Sequence, residues 1–188
     1  MVNNAINNWN SINYIYSNNL TCICYSSYLK RFVALSNTGT SNRVIYSTNG
    51  LSWSITSTTV DNNWTSICWS FKLKLFVAVS NSGTNDRIMT SSDGINWTSR
   101  TNPVDNNWTS ICYSSELNLF VCVSNSGTND RIMTSPDGIN WTSRISPADN
   151  NWTSICYSSE LNLFVAVSNS GTNNRIMTSS NGINWTSR

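Results

Sequence analysis

The chain has no histidine and little charge: only 11% of its 188 residues are Asp, Glu, Lys or Arg, against roughly a quarter in ordinary domains. Without histidine, and with a single Cys-x-Cys at Cys22 and Cys24, neither a zinc site nor any other cofactor is expected. A net charge of +2 without clustered Lys and Arg argues against nucleic-acid binding through phosphate contacts. No stretch approaches the ~18 consecutive apolar residues of a membrane span. The opening "MVNNAINNWNSINYIYSNN" lacks the basic and apolar segments of an export signal. A cytoplasmic or virion-associated location is therefore expected rather than a secreted one. The seven Asn-x-Ser/Thr sequons at Asn19, Asn63, Asn96, Asn107, Asn140, Asn151 and Asn184 are expected to stay unglycosylated.

What is present is polar but not disordered. Asn (31) and Ser (33) make up about a third of the chain, yet nine Trp, seven Tyr, five Phe and regular Val/Ile runs supply enough apolar surface to fold. Cys24, Cys68, Cys112 and Cys156 recur 44 residues apart, mid-strand, and read as small buried hydrophobes rather than a disulfide framework. Cys112 and Cys122 are positioned to face each other across a hairpin, but no bridge is expected.

The 44-residue period runs through the whole sequence. Trp9, Trp53, Trp97, Trp141 and Trp185 keep it, as do Arg43, Arg87, Arg131 and Arg175. So do Trp64, Trp108 and Trp152, with Leu20 standing in the first copy. One unit reads as four short strands. "WTSICWS" (64–70) is β-branched and aromatic; "LFVAVS" (75–80) is apolar on both faces, as in a strand between two sheets. "RIMTS" (87–91) and "NWTSR" (96–100) follow a Gly-centred loop and a tight turn. No segment has helical periodicity. Four antiparallel strands per unit at this length make a propeller blade, which needs a neighbour on each side to bury both faces. The expected fold is all-β, a propeller of four four-stranded blades forming one domain over residues 1–188: an outer closing strand in 1–18, then blades at 19–57, 62–100, 106–144 and 150–188. A monomeric four-bladed ring closed by the strand at Asn8–Tyr16 is favoured over an eight-bladed ring of two chains.

The phrase joining strands three and four is "STNG", "SSDG", "SPDG" and "SSNG" in successive units. Asp-Gly or Asn-Gly between strands suits a type I′ turn, in which both residues take positive φ. Asn49, Gly50, Asp93, Gly94, Asp137, Gly138, Asn181 and Gly182 are therefore read as structural turn residues, with the Asp or Asn side chain accepting backbone N–H groups. "S-x-D/N-G-x-x-W" resembles the Asp-box, or BNR repeat, of β-propellers related to sialidases, sortilin-type receptors and a photosystem assembly factor. It differs in having Asp and Gly adjacent, where the usual box separates them. The resemblance covers all four units and implies that the box is a structural turn away from any active site.

Catalysis requires residues that break the repeat, and the acids do not. Asp61, Asp105 and Asp149 share one repeat position; Asp86 and Asp130, Asp93 and Asp137, and Glu116 and Glu160 share three more. The arginine triad, tyrosine nucleophile and acid that the sialidase resemblance implies find no counterparts, and glycoside hydrolysis needs a matched carboxylate pair. No catalytic residue and no enzymatic activity are expected. Equivalent blades instead suit a multivalent, lectin-like binder of glycans. Its candidate ligand-binding residues are Asn63, Trp64, Asn107, Trp108, Asn151 and Trp152, the loop residues Asn85, Asn129 and Asn173, and Arg87, Arg131 and Arg175. The competing reading of those Trp is interblade core. The alternative function is a scaffold that binds a protein partner, such as a virion or appendage component. If one special site exists, it lies where blades one and two depart from the repeat, at Tyr28, Lys30, Arg31, Tyr46, Trp69, Phe71, Lys72 and Lys74.

Overall fold

The computed structural model describes residues 17–58 and 60–188, and these contain sixteen strands and no helix. Blade one comprises β1 (Leu20–Ser26), β2 (Arg31–Ser36), β3 (Val44–Ser47) and β4 (Ser54–Thr56). Blade two comprises β5 (Trp64–Ser70), β6 (Leu75–Ser80), β7 (Ile88–Ser91) and β8 (Thr98–Arg100). Blade three comprises β9 (Trp108–Ser114), β10 (Leu119–Ser124), β11 (Ile132–Ser135) and β12 (Thr142–Arg144). Blade four comprises β13 (Trp152–Ser158), β14 (Leu163–Ser168), β15 (Ile176–Ser179) and β16 (Thr186–Ser187). Each blade is a four-stranded antiparallel meander in sequence order, so the all-β propeller architecture holds.

The core lies between blades. Val77, Val79 and Ile88 of blade two pack on Trp108, Ile111, Phe120, Cys122 and Met133 of blade three. The same set recurs one period later, with Val121, Val123 and Ile132 against Trp152, Ile155, Phe164, Ala166 and Met177. Alternation along a strand explains this: both faces of the second strand meet a neighbouring sheet, which is why it is apolar throughout.

A β-bulge interrupts the first strand of every blade. In blade two the register passes from Trp64↔Ser80 to Ser66↔Val79, leaving Thr65 over. The released Thr65 Oγ1 contacts the carbonyls of Val79 (3.1 Å) and of Trp108 in the next blade (2.7 Å). Thr21 and Thr109 do the same towards Trp64 and Trp152.

Two expectations need correction. The joining phrase is not a two-residue type I′ turn. Gly94 has φ of +73°, but Asp93 is not in the positive-φ region, and six residues separate β7 from β8. Asp93 holds this longer loop with its side chain, as described below. Second, Cys112 pairs with Val121 and Cys122 with Ile111, so the two cysteines are not opposite each other; all six thiols are free. The described blades form an open arc. The first strands pack in succession, β1 on β5, β5 on β9 and β9 on β13. Among the described residues blade four does not pack on blade one in this way, and the outward faces of both end blades are exposed. The expected closing strand at Asn8–Tyr16 lies outside the described residues.

Candidate functional site

One rim of the arc carries the loops after the second strand and the connections between blades. Each seam there is clasped by an arginine. Arg87 Nε donates to the carbonyl of Gly83 (3.0 Å) and lies 3.6 Å from the Asp105 carboxylate in the following connection. Arg87 Nη1 donates to Asn107 Oδ1 (3.0 Å). Asp105 Oδ1 also accepts the Asn85 N–H (2.9 Å) and the Asn102 side-chain amide (2.8 Å). Slight burial pushes the Asp105 carboxyl up, but the bonds from Asn102 and Asn85 and the nearby Arg87 outweigh it and hold it below its ordinary value. Arg43 with Asp61 and Asn63, and Arg131 with Asp149 and Asn151, repeat the clasp. Arg175 has no such partner among the described residues. Its Nε donates to Gly171, and with Asn173 it lines an open cleft at the end of blade four.

The residues expected to bind ligand are therefore dispersed among the core, the clasps and the exposed loops. Trp64, Trp108 and Trp152 are completely buried between blades, so no ring face is open for a sugar to stack on. This matches the competing reading of them as core. Asn63, Asn107 and Asn151 are each drawn into a clasp, as are Arg87 and Arg131. Asn85, Asn129 and Asn173 remain exposed, held at φ near +60° in the loop.

The opposite rim carries the turns after the first strand and the Asp/Asn loops. In each loop one acceptor organises several donors. Asp93 Oδ1 accepts the N–H groups of Ile95 (2.8 Å) and Asn96 (2.7 Å), and Asp93 Oδ2 accepts the Asn96 side-chain amide (2.8 Å). Asp137 makes the same three bonds, while Asn49 and Asn181 supply the backbone part without charge. Partial burial pushes the Asp93 and Asp137 carboxyls up, but these hydrogen bonds prevail and hold both at about 2. Ser91 Oγ accepts the Gly94 N–H (2.7 Å), closing the loop from the other side.

On this rim the turns of blades one and two meet. Tyr28 lies edge-to-face against Phe71 with centroids 6.3 Å apart, and Lys74 Nζ sits 4.6 Å above the Tyr28 ring. Tyr28 (52%) and Phe71 (63%) are both well exposed, and Lys30 and Lys72 are exposed beside them in the same two turns. All three lysines of the chain are thus in this sector, whereas the matching turns of blades three and four carry Glu116 and Glu160. Of the other residues that break the repeat, Arg31 lies over the Tyr46 ring at 5.1 Å and bonds the Asp93 carbonyl. Trp69 packs on Phe76 in the interblade core. Sequence reasoning named this sector but missed the Tyr28–Phe71–Lys74 contact. The signal was present in the spacing, since Lys74 occupies in blade two the turn position that Lys30 occupies in blade one.

The described groups with displaced acidity move away from neutrality. Besides the aspartates, burial pushes the Cys22 thiol to about 12 and Cys24 to about 11, and it raises Cys68, Cys112 and Cys122 well above the usual thiol range. Among the described residues no three His, Cys, Asp or Glu side chains gather as a metal site would require.

No family model matches the sequence, and no curated protein is detectably similar to it. Solved structures are similar in fold. A streptogramin B lyase superposes with a TM-score of 0.73 at 16% identity, over 90% of this chain and 54% of that one. YCF48 from Cyanidioschyzon merolae superposes with a TM-score of 0.68 at 15% identity, over 95% and 58%. A GH74 enzyme from Niastella koreensis gives 0.60 at 18% identity, over 89% and 24%. These are β-propellers with four-stranded blades, and identities this low establish the fold alone. The chain spans about half the length of the first of them.

Proposed function

We propose that this protein is a non-catalytic recognition module that binds carbohydrate, with anionic glycans favoured. The observation that supports the reading best is the exposed Tyr28–Phe71 pair with Lys74 above it and Lys30 and Lys72 alongside. An aromatic face offers the C–H side of a sugar ring an apolar platform, and lysine ammonium groups attract carboxylate or sulfate substituents. The platform also departs from the repeat, as a selected site in a duplicated scaffold is expected to. The acids support a non-catalytic role: all nine recur at shared repeat positions, and Asp93 and Asp137 are taken up in organising their own loops.

A second reading places equivalent weak sites at the three clasped seams, where exposed Ser41, Asn85 and Asn129 recur at one loop position beside partly exposed aspartates. A glycan array separates the two. Under the favoured reading, acidic oligosaccharides bind the intact protein, and Tyr28→Ala with Phe71→Ala reduces binding at least tenfold without unfolding it. If that double variant binds normally while Asn85→Ala with Asn129→Ala does not, the seams are the site. If no glycan binds, the carbohydrate reading is wrong. A protein-binding scaffold, which the exposed apolar faces at the two ends of the arc favour, then stands in its place.

A further inference from the structure

We propose that the two ends of the arc dock head to tail on a second copy of this chain, so that two chains close an eight-bladed ring. The three seams within the chain define what the two ends lack. At each internal seam the leading blade contributes two aliphatic residues of its second strand, Val33 and Leu35 in blade one and two valines in blades two and three, and the first residue of its third. In blades two and three these are Val77, Val79 and Ile88, then Val121, Val123 and Ile132, all completely buried. Blade four has the same residues, Val165, Val167 and Ile176, but Val167 is 41% and Ile176 44% exposed.

The receiving face shows the converse. Blade two receives with Trp64 and Ile67, both buried, whereas the matching residues of blade one, Leu20 and Ile23, are 48% and 58% exposed. They open an apolar groove of about 320 Å³ lined by Leu20, Thr21, Cys22, Ile23, Ala34 and Trp53. The leading face thus lacks a receiver and the receiving face lacks a leader, among the described residues.

The polar groups at the seams complete the match atom by atom. Thr65 and Thr109 donate to the first carbonyl of the next blade, at Trp108 and Trp152 (both 2.7 Å). Among the described residues Thr153 bonds only Val167, within its own blade, and its next-blade acceptor would be the carbonyl of the partner's Leu20. Ser66 and Ser110 accept the N–H groups of Ile111 and Ile155 (both 3.2 Å). Ser154 would accept the N–H of the partner's Ile23 in the same way. Arg43, Arg87 and Arg131 each reach an Asn side chain of the following blade, and Arg175 would reach the partner's Asn19.

The new seam has Leu20 where others have Trp, and Ser17 where others have Asp61, Asp105 or Asp149. It is therefore weaker than the internal seams and reversible. The contact is heterologous, so it either closes on two copies or continues into an open array, and only closure leaves no apolar face open.

Native mass spectrometry and sedimentation of the full chain test this. The expected species has twice the 21.0 kDa mass of one chain. Ile23→Asp alters only the receiving face and Val167→Asp only the leading face. Both positions are exposed in the single chain, so each variant keeps the β-sheet circular dichroism of the original. Each alone is expected to associate at least tenfold more weakly, since both seams of a ring would then bury an unpaired carboxylate. An equimolar mixture is expected to recover a one-to-one heterodimer, because one of its two seams is unaltered. A monomer at high protein concentration, a dimer untouched by either substitution, open-ended multimers, or no recovery on mixing would each overturn the proposal.

Discussion

Gly94 and Gly50 occupy the same position of the same loop, yet alanine is expected to cost much more at one than at the other. Both have φ of +73°, so an L side chain at either pays for left-handed backbone, about 1–2 kcal/mol. The surroundings differ. A Cβ on Gly94 would meet Val33 Cγ2 of the preceding blade at 2.7 Å and Phe76 Cε2 at 3.2 Å, while among the described residues a Cβ on Gly50 would meet only Phe32 Cε2 at 3.7 Å. Val33 is completely buried and its β-branched side chain has few rotamers to retreat into. Overpacking of this kind adds about 1–3 kcal/mol. Gly94→Ala is therefore expected to lower the urea midpoint by roughly 0.5–1 M more than Gly50→Ala, taking the upper part of the usual range for the denaturant slope. Both variants belong in the Ile23→Asp background, where no second copy approaches Gly50. Equal midpoint shifts would refute the claim that the loop glycines of blades two to four are wedged against the preceding blade.

Asp93→Asn with Asp137→Asn is expected to flatten the acid limb of the stability curve. These carboxyls sit near 2 when folded and near 3.8 otherwise, so their contribution is complete above pH ~4 and lost as the pH falls towards 2. With solvent screening the two together are worth about 1–2 kcal/mol, and an unchanged slope in urea melts between pH 4 and 2 would contradict this. Thr65→Val removes a bridge between blades and is expected to cost about 1–2 kcal/mol, whereas Thr153→Val in the monomeric background costs almost nothing; equal losses in denaturant melts would refute the bridging role. Trp108→Phe is expected to destabilise the fold while leaving glycan affinity unchanged, and a selective loss of binding by calorimetry would restore the tryptophan to the site.

Most of the fold was legible because the repeat supplies four readings of one unit. The strands at Trp64–Ser70 and Leu75–Ser80 follow from composition and from Gly-bearing loops, and their bounds match those observed. The turn type was misread because Asp-Gly signals a hairpin only when strand register follows directly. Here Ser91 and Asp93 hold a six-residue loop together through side-chain bonds that no dipeptide rule contains. The site was less legible for a related reason. Trp and Asn in "NNWTS" suit sugar binding or interblade packing equally well, and only the neighbouring blade settles that Trp108 is sealed. The Tyr28–Phe71–Lys74 platform arises where two blades meet, and a pattern read within one unit does not contain it.

The most direct test of the functional account is a calorimetric titration of the intact protein with an acidic oligosaccharide selected on the array. The account predicts one site per chain, abolished by Tyr28→Ala with Phe71→Ala and weakened by Lys74→Ala. Three equivalent sites per chain that survive those substitutions, or no heat of binding with any glycan, would contradict it.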